Sequence, residues 1–284
     1  MQRGYLITYA GWLLKLSLII SLGWSLHGGD TLAKRFWWKV SVSYGVIYGG
    51  PFMAWYPWPK AKGWRFFDDG IEWKQMDKLG HVWTTYHLSR LYAELAQREG
   101  GSPTFATYLG MALAWGFQSS VEVVDGFFPK WGASLWDLAA NSAGSALFFL
   151  NHAIRATPWQ VTIRFSFFPS PYAKQRPDAL GRGLAQILKD YNGQTYWLCL
   201  FHKKLPVGLA IGHGARGLLG GYHQEPPSVW KAREWRRWIL SLDINWEFLL
   251  KKPTLLRHIL VAIKAPFPAL VYERERFRLA GIYF

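Results

Sequence analysis

Val161-Thr162-Ile163-Arg164-Phe165-Ser166-Phe167 marks the point at which the chain changes character. Apolar side chains take every second position and Thr162, Arg164 and Ser166 fill the gaps, which is the period of a strand with one apolar and one polar face. The same alternation returns at Trp238, Leu240, Leu242, Ile244, Trp246 and Phe248, interleaved with Ile239, Ser241, Asp243, Asn245 and Glu247. That run matches the roughly 9 to 11 residues a tilted strand needs to cross a bilayer. With Thr195 to His202, Val207 to Leu219 and Phe277 to Phe284, five strands are expected.

Upstream of Pro158 the spacing is helical. Phe36 to Met53 is an apolar, Gly- and aromatic-rich helix of membrane-like character that ends at Pro57-Trp58-Pro59. Ile71 to Arg98 reads as one amphipathic helix closed by Gly100-Gly101 and Pro103, and Thr104 to Val124 and Ser134 to Ile154 supply two more. Four helices with short connections pack naturally as a bundle. The expected class is α+β: a helical domain over residues 31–156, then an antiparallel β region over 159–284. Two forms of that region stay open, a barrel-like, membrane-associated sheet and a soluble sheet covered by the helices.

Residues 1–29 read as an exported leader, with Arg3 ahead of a mostly apolar stretch from Leu13 to Leu26 and a break at Gly28-Gly29-Asp30. Without an A-x-A site, both a cleaved signal peptide and an uncleaved signal anchor fit. The 18 tryptophans and the net charge of +15 suit a boundary between apolar and wet surroundings that carries anionic groups. Lys and Arg are scattered among aromatics rather than gathered in runs, which argues against nucleic acid and for membrane lipid or other envelope proteins as partners. The one cysteine, Cys199, has no intramolecular disulfide partner and no ligand neighbours, and reads as a core residue. Neither a metal nor a cofactor is expected from motif spacing, and oligomeric state is not encoded in any pattern seen here.

The densest polar group lies in the helical half. Asp77 and His81 are four residues apart and so share a helix face, with Lys78 beside them and Arg90 further along. Glu122 and Asp125 share another face, and Ser134, Asp137 and Asn141 a third. Ser134 with Asp137 has the S-x-x-D form of a capping box, so Ser134 is expected to cap rather than attack. Gly144, with Ala140 one turn earlier, has the look of a close helix contact. The G-x-S-x-G, H-E-x-x-H, P-loop and dinucleotide signatures are absent, leaving the catalytic residues unknown. The glycines at 208, 212, 214, 217, 220 and 221 fit a strand approached closely by another group better than a phosphate loop.

These residues carry a family resemblance. Asp77-Lys78-Leu79-Gly80-His81, Ser120 to Phe127, and Trp131-Gly132-Ala133-Ser134 with Asp137, Asn141 and Gly144 resemble the YfiM-like predicted periplasmic or outer-membrane lipoproteins, a family of unknown function. They resemble the VanZ-like membrane proteins more distantly. The resemblance covers about residues 64 to 150, and long members share Lys189 to Trp197 and the strand around Leu240 to Ile244. It implies an envelope location, the outer membrane by preference, and no defined activity. The terminal aromatic strand likewise resembles the last strand of outer-membrane barrels. Two departures stand out: the lipid-anchoring Cys is not found, and the VanZ-like Glu-x-x-Gln is Glu122-x-x-Asp125.

The expected function is therefore non-enzymatic lipid or partner binding in the cell envelope. The alternative is a hydrolase or transferase acting on lipid or glycolipid head groups, with Glu122 or Asp125 as base and His81 as acid or orienting group. An enzyme needs those groups converging on an open pocket, whereas a scaffold pairs and buries them.

Overall fold

The computed structural model describes residues 31–55, 63–128, 131–221 and 234–283. The leader expected over residues 1–29, the Pro57-Trp58-Pro59 breaker and Phe284 lie outside them. Four long helices come first, α1 (Thr31–Trp55), α2 (Met76–Arg98), α3 (Pro103–Asp125) and α4 (Leu135–Ala153). Among the described residues no helix is long and apolar enough to cross a membrane. Serines open α3 and α4: Ser102 accepts from the Phe105 N–H with Pro103 at the first helical position, and Ser134 accepts from the Asp137 N–H, the capping role read from its spacing.

α2 is the central helix. A Cβ on Gly110 of α3 would sit 2.4 Å from the Ser89 carbonyl oxygen, and one on Gly144 of α4 would sit 2.5 Å from that of Val82. Only glycine lets both neighbours approach this closely. α1 adds Phe36, Val40 and Tyr44 to a core with Leu88, Tyr92 and Phe117. The expected helix from Ile71 is shorter at its start than its pattern suggests. Trp73, Lys74 and Gln75 are consecutive non-glycine residues at φ of 50°, 54° and 61°, so a left-handed turn precedes Met76. Left-handed backbone costs each about 1–2 kcal/mol. The turn is held from outside: Gln75 donates to the Gly70 carbonyl at 2.7 Å and Arg236 to that of Lys74 at 2.8 Å.

The β region is a six-stranded antiparallel meander in sequence order, β1 (Trp159–Phe167), β2 (Gln194–His202), β3 (Val207–Arg216), β4 (Trp235–Ile244), β5 (Phe267–Glu273) and β6 (Arg276–Tyr283). The α+β class stands, with three corrections. A sixth strand, β5, was hidden by Pro268, which a register shift between Phe267 and Ala269 accommodates. β4 stops at Ile244, because the Asn245 side chain accepts from the Phe248 N–H and starts a helical turn over Trp246–Leu249. Among the described residues the sheet does not close into a barrel: β1 and β6 are its two edges, and β1 meets the chain ahead of β5 at a Phe165–Ile263 bridge.

The open sheet is strongly curled. Trp197 on β2 meets Tyr283 at the end of β6 with ring centroids 5.7 Å apart, whereas four strand spacings of about 4.8 Å would separate these strands by ~19 Å in a flat sheet. The concave side buries an apolar cluster with Trp197, Phe201, Ile239 and Val271, and polar groups are embedded in it: Arg164 and Asp243 pair at 2.8 Å with essentially no exposure, and the Trp197 indole N–H donates to Ser166 at 2.9 Å. Cys199 is a buried core residue there. Gly212 makes room for Trp197, whose ring would lie 2.7 Å from a Cβ at that position, the close approach expected of the glycine-rich strand.

Helix α2 docks on the convex side at β1 and β2. Trp83 donates to the Ala262 carbonyl at 3.0 Å, Tyr86 to that of Val161 at 3.2 Å, and His87 Nε2 lies 2.7 Å from that of Ile163. A carbonyl only accepts, so Nε2 carries the proton. Burial lowers the His87 pKa to about 3, and the Arg90 and Arg164 charges act in the same direction. An unfolded chain protonates this ring near pH 6.5, so between about 3 and 6.5 the unfolded state binds more protons. The stability held by neutral His87 is complete above pH 6.5 and is lost as pH falls toward 3. Replacing His87 with Gln, which keeps an N–H donor, should flatten the decline in melting temperature between pH 6.5 and 4. Equal slopes for the two proteins would remove His87 as the cause.

Candidate functional site

Three helices and two loops converge where α2 begins. Lys78, one residue past Asp77, sends its ammonium among carboxylates from three segments: Asp69 in the loop before α2 at 2.5 Å, Asp137 of α4 at 2.6 Å, and Asp77 itself at 3.1 Å. Ser134 Oγ donates to the other Asp69 oxygen at 2.5 Å while capping α4, and the Ser134 N–H donates to Glu122 of α3 at 3.2 Å. The capping serine thus ties the start of α4 to both neighbours.

His81 lies one turn along α2. Its Nδ1 is 3.0 Å from Asn141 Oδ1 and 3.8 Å from Glu122 Oε1, and its Nε2 is 3.6 Å from Asp137 and 4.0 Å from Asp77. Asn141 Oδ1 also accepts from Thr85 at 3.2 Å, and Tyr191, ahead of β2, donates its hydroxyl to Asp77 at 3.0 Å. Burial works against a charged His81, but Asp137, Asp77 and Glu122 outweigh it and lift the ring to about 9. Burial raises Glu122 and Asp137 above the usual carboxylate range despite the opposing His81 charge. Asp77 moves the other way: burial would raise it, but Lys78 and His81 hold it down. Four carboxylates share two cations here, so each proton position depends on all the others.

Of the residues singled out from sequence, Asp77, Lys78, His81, Glu122, Ser134, Asp137 and Asn141 meet in this cluster. Asp125 is half-buried one turn past Glu122 and acts on it through its charge. Arg90 belongs elsewhere. Nine residues at 100° each put it on the face of α2 opposite His81, where it pairs with Glu94 at 3.3 Å and with Glu247. That group, which also holds Arg257, borders a cleft of about 550 Å³. Asp69, Thr85 and Tyr191 are members the sequence reading missed. Tyr191 falls inside the Lys189 to Trp197 stretch, and that stretch is a lock: Asp190 accepts from the Ser170 N–H and hydroxyl, and Asn192 exchanges two hydrogen bonds with the Leu218 backbone. For Asp69 no pattern gave a signal.

Lys78 is nearly buried and touches three carboxylates, so its loss strands them. Lys78→Met should lower unfolding free energy by about 3–5 kcal/mol, the usual result of removing one partner of a buried charge group. The same change at exposed Lys34 should cost under about 0.5 kcal/mol. Denaturant midpoints measure both, and a small loss at Lys78 would mean that its carboxylates find other partners or water.

Residues 61–153, about a third of the chain, match the family described as predicted periplasmic lipoprotein (DUF2279). No curated protein and no solved structure matches this chain. The matched segment contains the Asp77 to His81, Glu122 to Asp125 and Ser134 to Gly144 motifs, so the polar cluster lies almost wholly within it, with Tyr191 contributed from beyond its end. The match supports an exported protein of the cell envelope whose role is unknown.

Proposed function

We propose that this is a non-enzymatic envelope protein that seats the convex face of its sheet against lipid, in the outer membrane. The observation that carries the proposal is the exposed aliphatic face of the sheet. Cross-strand rows on the convex face run Leu198–Ile211–Leu240 and Leu200–Leu209–Leu242, and a third joins Trp238 through Tyr272 to Phe277. The six aliphatic side chains are 41–52% exposed. The concave side buries a separate apolar cluster with Trp197, Phe201, Ile239 and Val271 around the Arg164–Asp243 pair, so both faces of the sheet carry apolar side chains, unlike a sheet with one face in water. Soluble monomers rarely expose contiguous apolar patches beyond a few hundred Å².

Several features favour lipid over a protein partner. The central rows are purely aliphatic and an aromatic row borders them, as at a membrane interface. A short amphipathic helix, α5 (Leu255–Ala262), exposes Leu255, Leu256 and Ile259 just after exposed Lys251 and Lys252, the composition of a helix lying in an anionic interface. The +15 net charge acts in the same sense. Because the sheet is open, unpaired edge groups are better kept hydrated than placed in hydrocarbon, which argues for a face resting on one leaflet rather than crossing it. The hydrolase or transferase reading finds less support. Glu122, Asp137 and His81 are turned on one another and buried, and the cleft by Arg90 and Glu247 lies on the opposite face of α2.

Leu242→Arg should reduce flotation of the purified protein with phosphatidylethanolamine–phosphatidylglycerol vesicles at least tenfold, with far-UV circular dichroism unchanged. Arg on a lipid-facing strand costs on the order of 2–4 kcal/mol at depth, and about 1.4 kcal/mol already corresponds to tenfold. Unaltered flotation would take this face out of lipid. A variant that still floats but changes from dimer to monomer would instead assign the face to self-association.

A further inference from the structure

We propose that Asp77, His81 and Asp137 bind one divalent cation of the zinc class. One oxygen from each carboxylate and one imidazole nitrogen lie within 4.8 Å of one another. The ring is oriented for the task. Its Nδ1 faces Asn141 Oδ1 at 3.0 Å, an oxygen that can only accept, so Nδ1 holds its proton, and it is Nε2, 3.6 Å from Asp137 Oδ1 and 4.0 Å from Asp77 Oδ1, whose proton a cation would displace. A second group holding the remote nitrogen is the usual support of a metal-binding histidine. Both separations are too long for a hydrogen bond. They lie close to the ~3.3 Å edge of a tetrahedron whose metal bonds are about 2.0–2.1 Å.

A separate observation is a buried acceptor without a partner behind the ring. Glu122 is 2% exposed, and its Oε1 has no hydrogen-bond partner although it lies 3.8 Å from His81 Nδ1. A buried acceptor left this way is costly, and a carboxylate beside the far nitrogen of a ligating histidine is a recurring outer-shell arrangement. Lys78 is compatible with the ion. It contacts Asp77 through Oδ2, Oδ1 has a second lone pair for the metal beside its bond from the Tyr191 hydroxyl, and Lys78 keeps Asp69 at 2.5 Å when the metal draws on Asp137. One imidazole and two carboxylates, with no thiolate, suit zinc and its borderline neighbours and leave coordination positions open. This inference is independent of whether the sheet meets lipid.

The test uses the full chain purified in detergent, stripped with chelator, and dialysed against Zn²⁺ or Co²⁺. We expect about one zinc per chain by metal analysis and, with cobalt, the intense visible bands of a tetrahedral site. Asp77→Asn and His81→Gln should each weaken zinc binding at least tenfold and abolish those bands, and Asp178→Asn, at an exposed acid paired with Arg176 outside the cluster, should leave both unchanged. Asp77 is the most exposed of the three ligands, so its variant preserves the test if His81→Gln fails to fold. No retained metal, or retention undiminished in Asp77→Asn, would overturn the proposal and leave His81 as an imidazolium held by the carboxylates.

Discussion

An ammonium that contacts three carboxylates from three separate segments exists only when those segments are already packed together. Lys78 is in that position between the Asp69 loop, α2 and α4. Taking these charges out of water costs several kcal/mol per ion, so the cluster is an expensive way to gain stability. What it provides is discrimination, because a slip of α4 along α2 would leave buried carboxylates without a cation. The two glycine contacts of α2 work in the same direction by allowing one close approach to each neighbour.

The same helix carries the arrangement into the sheet. Trp83, Tyr86 and His87 bond to carbonyls of β1 and of the segment ahead of β5, on the side of α2 turned away from Asp137. Tyr191 links the two regions from the other direction, standing ahead of β2 yet bonded to Asp77. The boundary between helical and alternating sequence at Pro158 is thus a change of local structure rather than a physical separation. The short lock around Asp190 and Asn192 makes sense in that light, since it fixes the backbone that delivers Tyr191.

Much of this was visible in the chain because helical and strand periods translate directly into faces. Asp77 with His81, and Asp137 with Asn141, fall one turn apart, and Ser134 is placed by its capping geometry. The same arithmetic, carried further, would have set Arg90 on the opposite face. Other features left no periodic trace. Asp69 sits in a Phe67-Asp68-Asp69-Gly70 turn, where sequence spacing says nothing about which helix a side chain will reach. The left-handed turn at Trp73 to Gln75 contains neither Gly nor Asn, so the tertiary bonds that impose it could not be anticipated locally. Alternation through Trp246 and Phe248 concealed a helix cap at Asn245, and Pro268 concealed a strand.

The sheet shows where strand patterning stops being informative. Period-two alternation states that one face is apolar and the other polar, but is silent on which becomes the inside. Here curvature decides. Bringing Trp197 to Tyr283 closes one face into a small, protein-lined interior in which Trp197, Phe201, Ile239 and Val271 pack and Arg164 and Asp243 neutralise each other. The aliphatic rows are thereby turned outward across β2, β3 and β4, and α2 covers only the corner at Phe165 and Tyr196. The interior also holds the ion pair, with Asp243 accepting from the Ala265 and Ile244 backbone N–H groups, so turning that side outward would break these bonds and expose Trp197, Phe201 and Ile239.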